Sequence, residues 1–122
     1  MVIRHAFLMQ GRLLVFLVKD RKLQLVHERE TKGAVYCLCP FNGKLLAGIN
    51  SKIQLYKWQQ REDGVRELVT ETGHHGHVLA TYMQTRGDLI VVGDLMKSIT
   101  LLAYKVCCYR GLLGLLGALE LF

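Results

Sequence analysis

The sequence predicts an all-β fold: an incomplete β-propeller of about two and a half four-stranded antiparallel blades, followed by an irregular or short helical C-terminal tail. Three observations predict it. Apolar and polar residues alternate with period two over residues 11–105, as half-buried strands require, and no helical period competes there. Tight-turn residues punctuate this stretch at short, regular intervals. Landmarks also recur: Gly33-Ala-Val35 and Gly76-His-Val78 are 43 residues apart, the turn glycines Gly43 and Gly87 are 44 apart, and Ile53-Gln-Leu55 and Ile99-Thr-Leu101 are 46 apart. Arg12-Leu-Leu-Val-Phe16 lies 40 before Lys52-Ile-Gln-Leu-Tyr56. A four-stranded unit recurring at such a period is a propeller blade. A β-sandwich is the alternative, and it would need these landmarks to agree by coincidence.

The elements follow in chain order. Residues 12–18 form a strand, Lys19-Asp20-Arg21 turns it, and residues 22–30 return with Leu23, Leu25 and His27 alternating against polar neighbours. Residues 34–39 and 44–49 are two further strands divided by Pro40-Phe41-Asn42-Gly43. Asn-Gly is a strong hairpin signal because both residues tolerate positive φ. Asn50-Ser51 leads into residues 52–58, where Ile53, Leu55 and Lys57 oppose Gln54, Tyr56 and Trp58, and Glu62-Asp63-Gly64 leads into residues 65–71. Arg86-Gly87-Asp88 and Gly93-Asp94 repeat this order of strand, tight turn, strand. The pattern stops at residue 106. Leu112, Leu115, Leu116 and Leu119 fall at helical spacing, while Gly114 and Gly117 each weaken a helix by about 1 kcal/mol relative to Ala. The domain reading is an N-terminal extension over 1–10, the partial propeller over 11–105 and a divergent apolar tail over 106–122.

Composition narrows the function classes. The chain has 122 residues, 51% of them hydrophobic and 21% charged, which suits one packed domain and excludes a disordered chain. Its net charge of +6 is carried by singly spread residues such as Lys19, Lys32, Lys52 and Lys97, with no basic run interleaved with aromatics; this describes a solvated surface better than a nucleic-acid groove. Cys37 and Cys39, two apart on a strand, share one face as small buried hydrophobes. The longest apolar run, residues 112–119, falls short of the roughly 20 residues that span a bilayer, and no signal segment precedes residue 11. An intracellular, reduced, soluble protein is expected.

No constellation points to catalysis. His74-His75-Gly76-His77 offers imidazoles, but their spacing is not that of a zinc site, and neither Cys37-x-Cys39 nor Cys107-Cys108 supplies the second half; a polar loop between blades is expected, with no metal and no cofactor. Phosphate-loop and nucleophile-elbow motifs are absent, and Asp88 and Asp94 sit in turns where they bond local backbone. No catalytic residue is assigned. Propellers work by presenting loops and inner strands to partners, so the exposed aromatics among Tyr36, Tyr56, Trp58, Tyr82 and Tyr104 are candidate anchors, against packing between blades as the competing role.

Gly33-Ala-Val-Tyr36, Phe41-Asn-Gly-Lys-Leu-Leu-Ala-Gly-Ile-Asn50, Ile53-Gln-Leu-Tyr-Lys-Trp58, Thr85-Arg-Gly-Asp88 and Val92-Gly-Asp-Leu-Met-Lys-Ser98 closely resemble the damaged-DNA-binding protein 1 family, particularly its plant members. The resemblance covers residues 11–105 and implies a CPSF A subunit-type region from the third β-propeller of a much longer protein. Propeller subunits of pre-mRNA cleavage and splicing share the domain type and are less similar. The family resemblance implies a non-enzymatic adaptor of a cullin-RING ubiquitin ligase in DNA damage repair and protein ubiquitination. Its implied location is the nucleus, with the cytoplasm second. Its implied partners are substrate-receptor proteins, with damaged DNA reached through a partner and no membrane. Direct nucleic-acid binding by a relative of the cleavage and splicing factors is the alternative. Within the resemblance, Ala80-Thr81-Tyr82 matches a receptor-facing inner strand and Ala47 a small residue on the preceding blade. Ala47, Ala80 and Tyr82 are therefore the expected partner-binding residues, the alanines leaving a notch for a partner's apolar side chains. The equal alternative is that the alanines are small because strands crowd the propeller axis. Residues after Lys105 depart from the family pattern, as an altered reading frame or a truncated gene model would.

Overall fold

The computed structural model describes residues 10–75, 79–96, 99–106 and 113–121, with residues 105, 106 and 113–121 as strand backbone. Ten strands run in order: β1 (Gly11–Lys19), β2 (Lys22–Thr31), β3 (Val35–Phe41), β4 (Lys44–Ile49), β5 (Lys52–Gln60), β6 (Arg66–His75), β7 (Ala80–Arg86), β8 (Leu89–Asp94), β9 (Ile99–Val106) and β10 (Leu113–Leu121). They form a two-stranded sheet β1-β2 and two four-stranded meanders, β3-β4-β5-β6 and β7-β8-β9-β10. The molecule is thus a half-blade followed by two blades, the two and a half expected of an open propeller.

Turn chemistry sets the hairpins. Asp20 and Arg21 (φ 53° and 60°) and Asn42 and Gly43 (46° and 74°) both place two central residues at positive φ, the mirror-image turn whose twist matches paired strands. At the equivalent β7–β8 turn only Gly87 does so (φ 58°). Asn50 (φ 51°) turns β4 into β5, and the five-residue loop after Gln60 uses Gly64 (φ 86°).

Register repeats as faithfully as the turns. Tyr36 is an extra residue opposite Gly48 and Ile49, and Thr81 is the extra residue at the same place in the next blade, opposite Gly93 and Asp94. The third-to-fourth strand pairs carry a second bulge: Val26 in β2, Glu71 in β6, and the residue between Leu116 and Ala118 in β10. Each bulge adds one unpaired residue and re-aims its neighbours.

Both faces of the first full blade are buried. One face contributes Cys39, Phe41, Leu46, Ile53 and Leu55 to a core completed by Ala80, Met83, Ile90, Val92 and Leu102 of the second blade. The other contributes Ala47, Ile49, Tyr56 and Leu68 to a smaller core against Leu13 of the half-blade. This explains why β4 is buried along most of its length while burial alternates along the equally apolar β8. A fully buried leucine or isoleucine contributes about 1.5–3 kcal/mol, so these interblade layers dominate the stability. Gly48 permits a close approach between the two blades: a Cβ there would lie 2.6 Å from Cys37 Sγ and 3.0 Å from the Ala80 carbonyl oxygen. Cys37 and Cys39 do share a face, as their spacing predicts, and both are free thiols.

Two expectations need correction. The segment 106–122 is not an irregular or short helical tail: residues 113–121 form β10, which pairs antiparallel with β9 and completes the second blade. The two glycines that weaken a helix and the open hydrogen-bonding edge of β9 favour the strand. His74 and His75 are likewise not in a loop but end β6, in register with Ile53 and Lys52; Gly76 and His77 lie outside the described residues. Cys107 and Cys108 also fall outside them. The alternation of Leu23 and Leu25 is real but faces outward, because none of the described residues covers the far side of the half-blade; they are 69% and 50% exposed.

Candidate interaction surface

The first strand of each blade, β3 and β7, packs on its counterpart in the neighbouring blade, so these strands line the inner side of the arc. Asn50 fixes their spacing. Its backbone N–H donates to the Ala34 carbonyl at 3.1 Å, and its own carbonyl accepts from the Ala80 N–H at 3.2 Å, tying the entry to β3, the β4–β5 turn and the start of β7 together. Cys37 Sγ donates to the Ala80 carbonyl at 3.4 Å, and burial pushes the Cys37 thiol up from its ordinary pKa.

Against this frame the expected partner-binding residues separate. Ala47 is fully enclosed in the core between the half-blade and the first blade, and Ala80 is fully enclosed in the core between the two blades. Tyr82 is 64% exposed and lies on the outward face of the second blade, a face that Val91 and Leu101 share. The structure therefore brings Ala80 and Tyr82 onto one strand and places Ala47 in a different layer. The aromatic candidates sort in the same way. Tyr56 is buried, and burial raises its hydroxyl pKa despite the nearby Arg29 cation. Tyr104 packs edge-on against Phe41 with centroids 5.5 Å apart, and Trp58 packs edge-on against His27 at 5.9 Å. Tyr36 and Tyr82, on the two inner strands, stay exposed, with Leu38 beside Tyr36 on β3 at 56% exposure.

Two features escaped sequence reasoning. The first is an ion pair within the first blade that reaches the second: Lys44 Nζ lies 2.8 Å from Glu71 Oε2 and donates to Tyr104 Oη of the second blade at 3.1 Å, with its ammonium 5.1 Å from that ring's centroid. Only the bulge at Glu71 brings a β6 carboxylate under a β4 lysine, and bulge positions have no sequence signature as sharp as a turn's. Burial lowers the Lys44 pKa, but the bonds to Glu71 and Tyr104 outweigh it and the net shift is upward. The second is a groove of about 430 Å³ between β1 and β3, lined by Leu13, Val15, Val35, Tyr36, Leu38 and Leu45 among others. By its pairing with a bulged β2, as β5 pairs with β6 and β9 with β10, β1 is equivalent to the third strand of a blade. Among the described residues no three or more His, Cys, Asp or Glu side chains come together as a metal site, and no helix is long and apolar enough to cross a membrane.

Two blades and a half, with inner strands that expose tyrosines, define the class: an open segment of a β-propeller. The chain belongs to the family of the CPSF A subunit region, whose model matches residues 3–110. It is 72% identical over 96 residues to DNA damage-binding protein 1a of Arabidopsis thaliana, 73% over 97 residues to DNA damage-binding protein 1 of Solanum lycopersicum, and 72% over 96 residues to DNA damage-binding protein 1 of Oryza sativa subsp. japonica. Each match covers 79% of this chain and 9% of the relative's length.

Proposed function

We propose that this chain is part of a non-enzymatic protein-interaction scaffold resembling the adaptor subunit of a cullin-RING ubiquitin ligase that acts in DNA damage repair. The carrying observation is the identity of 72–73% over 79% of this chain to proteins named DNA damage-binding protein 1. In this reading the partners are substrate-receptor proteins in the nucleus, and damaged DNA is met through them. Tyr82 is the contact residue among the three expected ones, with the exposed Tyr36 on the neighbouring inner strand as a second aromatic. Ala80 and Ala47 act behind that wall by letting the blades approach. Large rigid aromatics suit this use because they desolvate much area at little entropic cost.

The test is a pull-down of a substrate receptor with this chain and with its Tyr82→Ala and Tyr36→Ala variants. Receptor retention that falls about tenfold or more in either variant supports the reading. Retention by a full-length relative but not by this chain removes the function from the chain. A salt titration against single-stranded and duplex DNA addresses direct nucleic-acid binding, for which log affinity falls linearly with log salt.

A further inference from the structure

A second cleft lies between the half-blade and the first blade, on the rim that carries the link from β2 to β3 and the β4–β5 turn. Its volume is about 450 Å³. Arg29, Lys32 and Lys52 line it with His75 and Ser51, and Glu30 is the one carboxylate among the lining residues. Arg29 is fixed before any ligand arrives: its guanidinium donates to the Leu68 carbonyl at 2.8 Å and to Thr70 Oγ1 at 3.4 Å, 5.5 Å from the Tyr56 ring centroid. Lys32 and Lys52 are exposed and, among the described residues, have no ion-pair partner. Glu30 is exposed and lies 3.9 Å from Arg12 on the half-blade, whose cation partly offsets its charge. Three cations and a hydroxyl donor around a compact space are complementary to a group with several anionic oxygens.

We propose that this cleft binds the phosphate of a phosphorylated serine or threonine on a protein partner. In this assignment Arg29 supplies the preorganised donor, and Lys32 and Lys52 close on the remaining oxygens. A peptide source fits better than a nucleic-acid backbone because the cations converge on one compact cleft with a carboxylate in its wall. A polyanion track needs a line of cations and no such carboxylate. The link over residues 31–34 runs from the cleft directly into β3, where Tyr36 is exposed, so one partner segment can meet both. The cleft's chemistry does not depend on which protein brings the phosphate.

The test follows backbone amide chemical shifts of the whole chain during titration with a phosphoserine tripeptide, its unphosphorylated twin, inorganic phosphate, and a single-stranded oligonucleotide. Saturable shifts at residues 31–32 and 50–52 with the phosphotripeptide and phosphate, but not with the twin, are expected. Affinity should weaken about tenfold in the Lys32→Gln, Lys52→Gln double variant and stay unchanged in Lys19→Gln, whose lysine sits at the far β1–β2 turn. Shifts that do not saturate, or that are equal in the double variant, overturn the site. Tighter binding of the oligonucleotide at these same amides overturns the peptide source. None of these outcomes depends on receptor retention, so the two readings fail separately.

Discussion

Glu71 has a side chain only 5% exposed, and Lys44 is the cation that makes its ionised form tolerable there. Replacing Lys44 by Met strips that charge while leaving the carboxylate enclosed, and should cost about 2–3 kcal/mol in urea denaturation; a loss below about 0.5 kcal/mol would place the pair among ordinary surface contacts. Because the folded-state pKa of Lys44 is raised, its contribution is fully present below the ordinary lysine value, about 10.4, and is lost as pH climbs through the folded value. Melting curves should therefore fall above about pH 10 in the parent and fall less in Lys44→Met. Gly48 and Gly93 make a second residue-scale comparison, since they occupy equivalent places in the two blades. Gly48→Ala drives a methyl into Cys37 and the Ala80 carbonyl and should destabilise by about 1–3 kcal/mol. Gly93→Ala meets only Tyr82 Cβ at 3.6 Å, an ordinary contact, and should be nearly neutral. Equal effects at the two glycines would contradict the face-to-face stacking of the blades.

At the scale of the elements, Asp20-Arg21 holds two non-glycine residues at positive φ, whereas Asn42-Gly43 uses the residues that such a turn favours. Exchanging Asp20-Arg21 for Asn-Gly should raise stability by about 1 kcal/mol, read as a higher urea midpoint at constant slope. A lowered midpoint would mean that the Asp20 or Arg21 side chain supports the turn. The turns were also what made the fold readable. Asn42-Gly43, Asn50-Ser51 and Gly64 fall where composition puts them because positive φ selects so few residues. Period-two alternation gave the strands. It could not say which face of β1-β2 meets protein, since Leu23 and Leu25 belong to a face that only another stretch of chain could cover. It was silent on β10, whose strand state comes from pairing with β9 and not from its own pattern. The candidate surface was less legible: exposed Tyr36 and Tyr82 and buried Tyr56 all sit on alternating strands, and Ala47 and Ala80 look alike in sequence yet lie in different interblade cores. Such differences depend on which blade packs on which face, and no window of sequence contains that information.

For the whole molecule, the decisive fact is that the arc is open. The second blade shows Tyr82, Leu89, Val91 and Ile99 on its outward face, and the half-blade shows Leu14, Phe16, Val18, Leu23 and Leu25 on the other side. Exposed apolar patches of this kind drive association. The 122-residue chain alone should bind a hydrophobic dye and scatter light increasingly with concentration. A monodisperse monomer that unfolds cooperatively would overturn this. The bulges say where such association starts. All five lie on strands at sheet edges, β2, β3, β6, β7 and β10, and none on the interior strands β4, β5, β8 and β9. A kinked ladder is a poor template for a foreign strand. β1 is the one described edge whose own residues run in unbroken succession, so a strand from another molecule finds its matching row of N–H and C=O groups along Gly11–Lys19. Fibril growth, if seeded, should therefore begin there, and a proline in place of Leu14 would act as a stopper on that growing end.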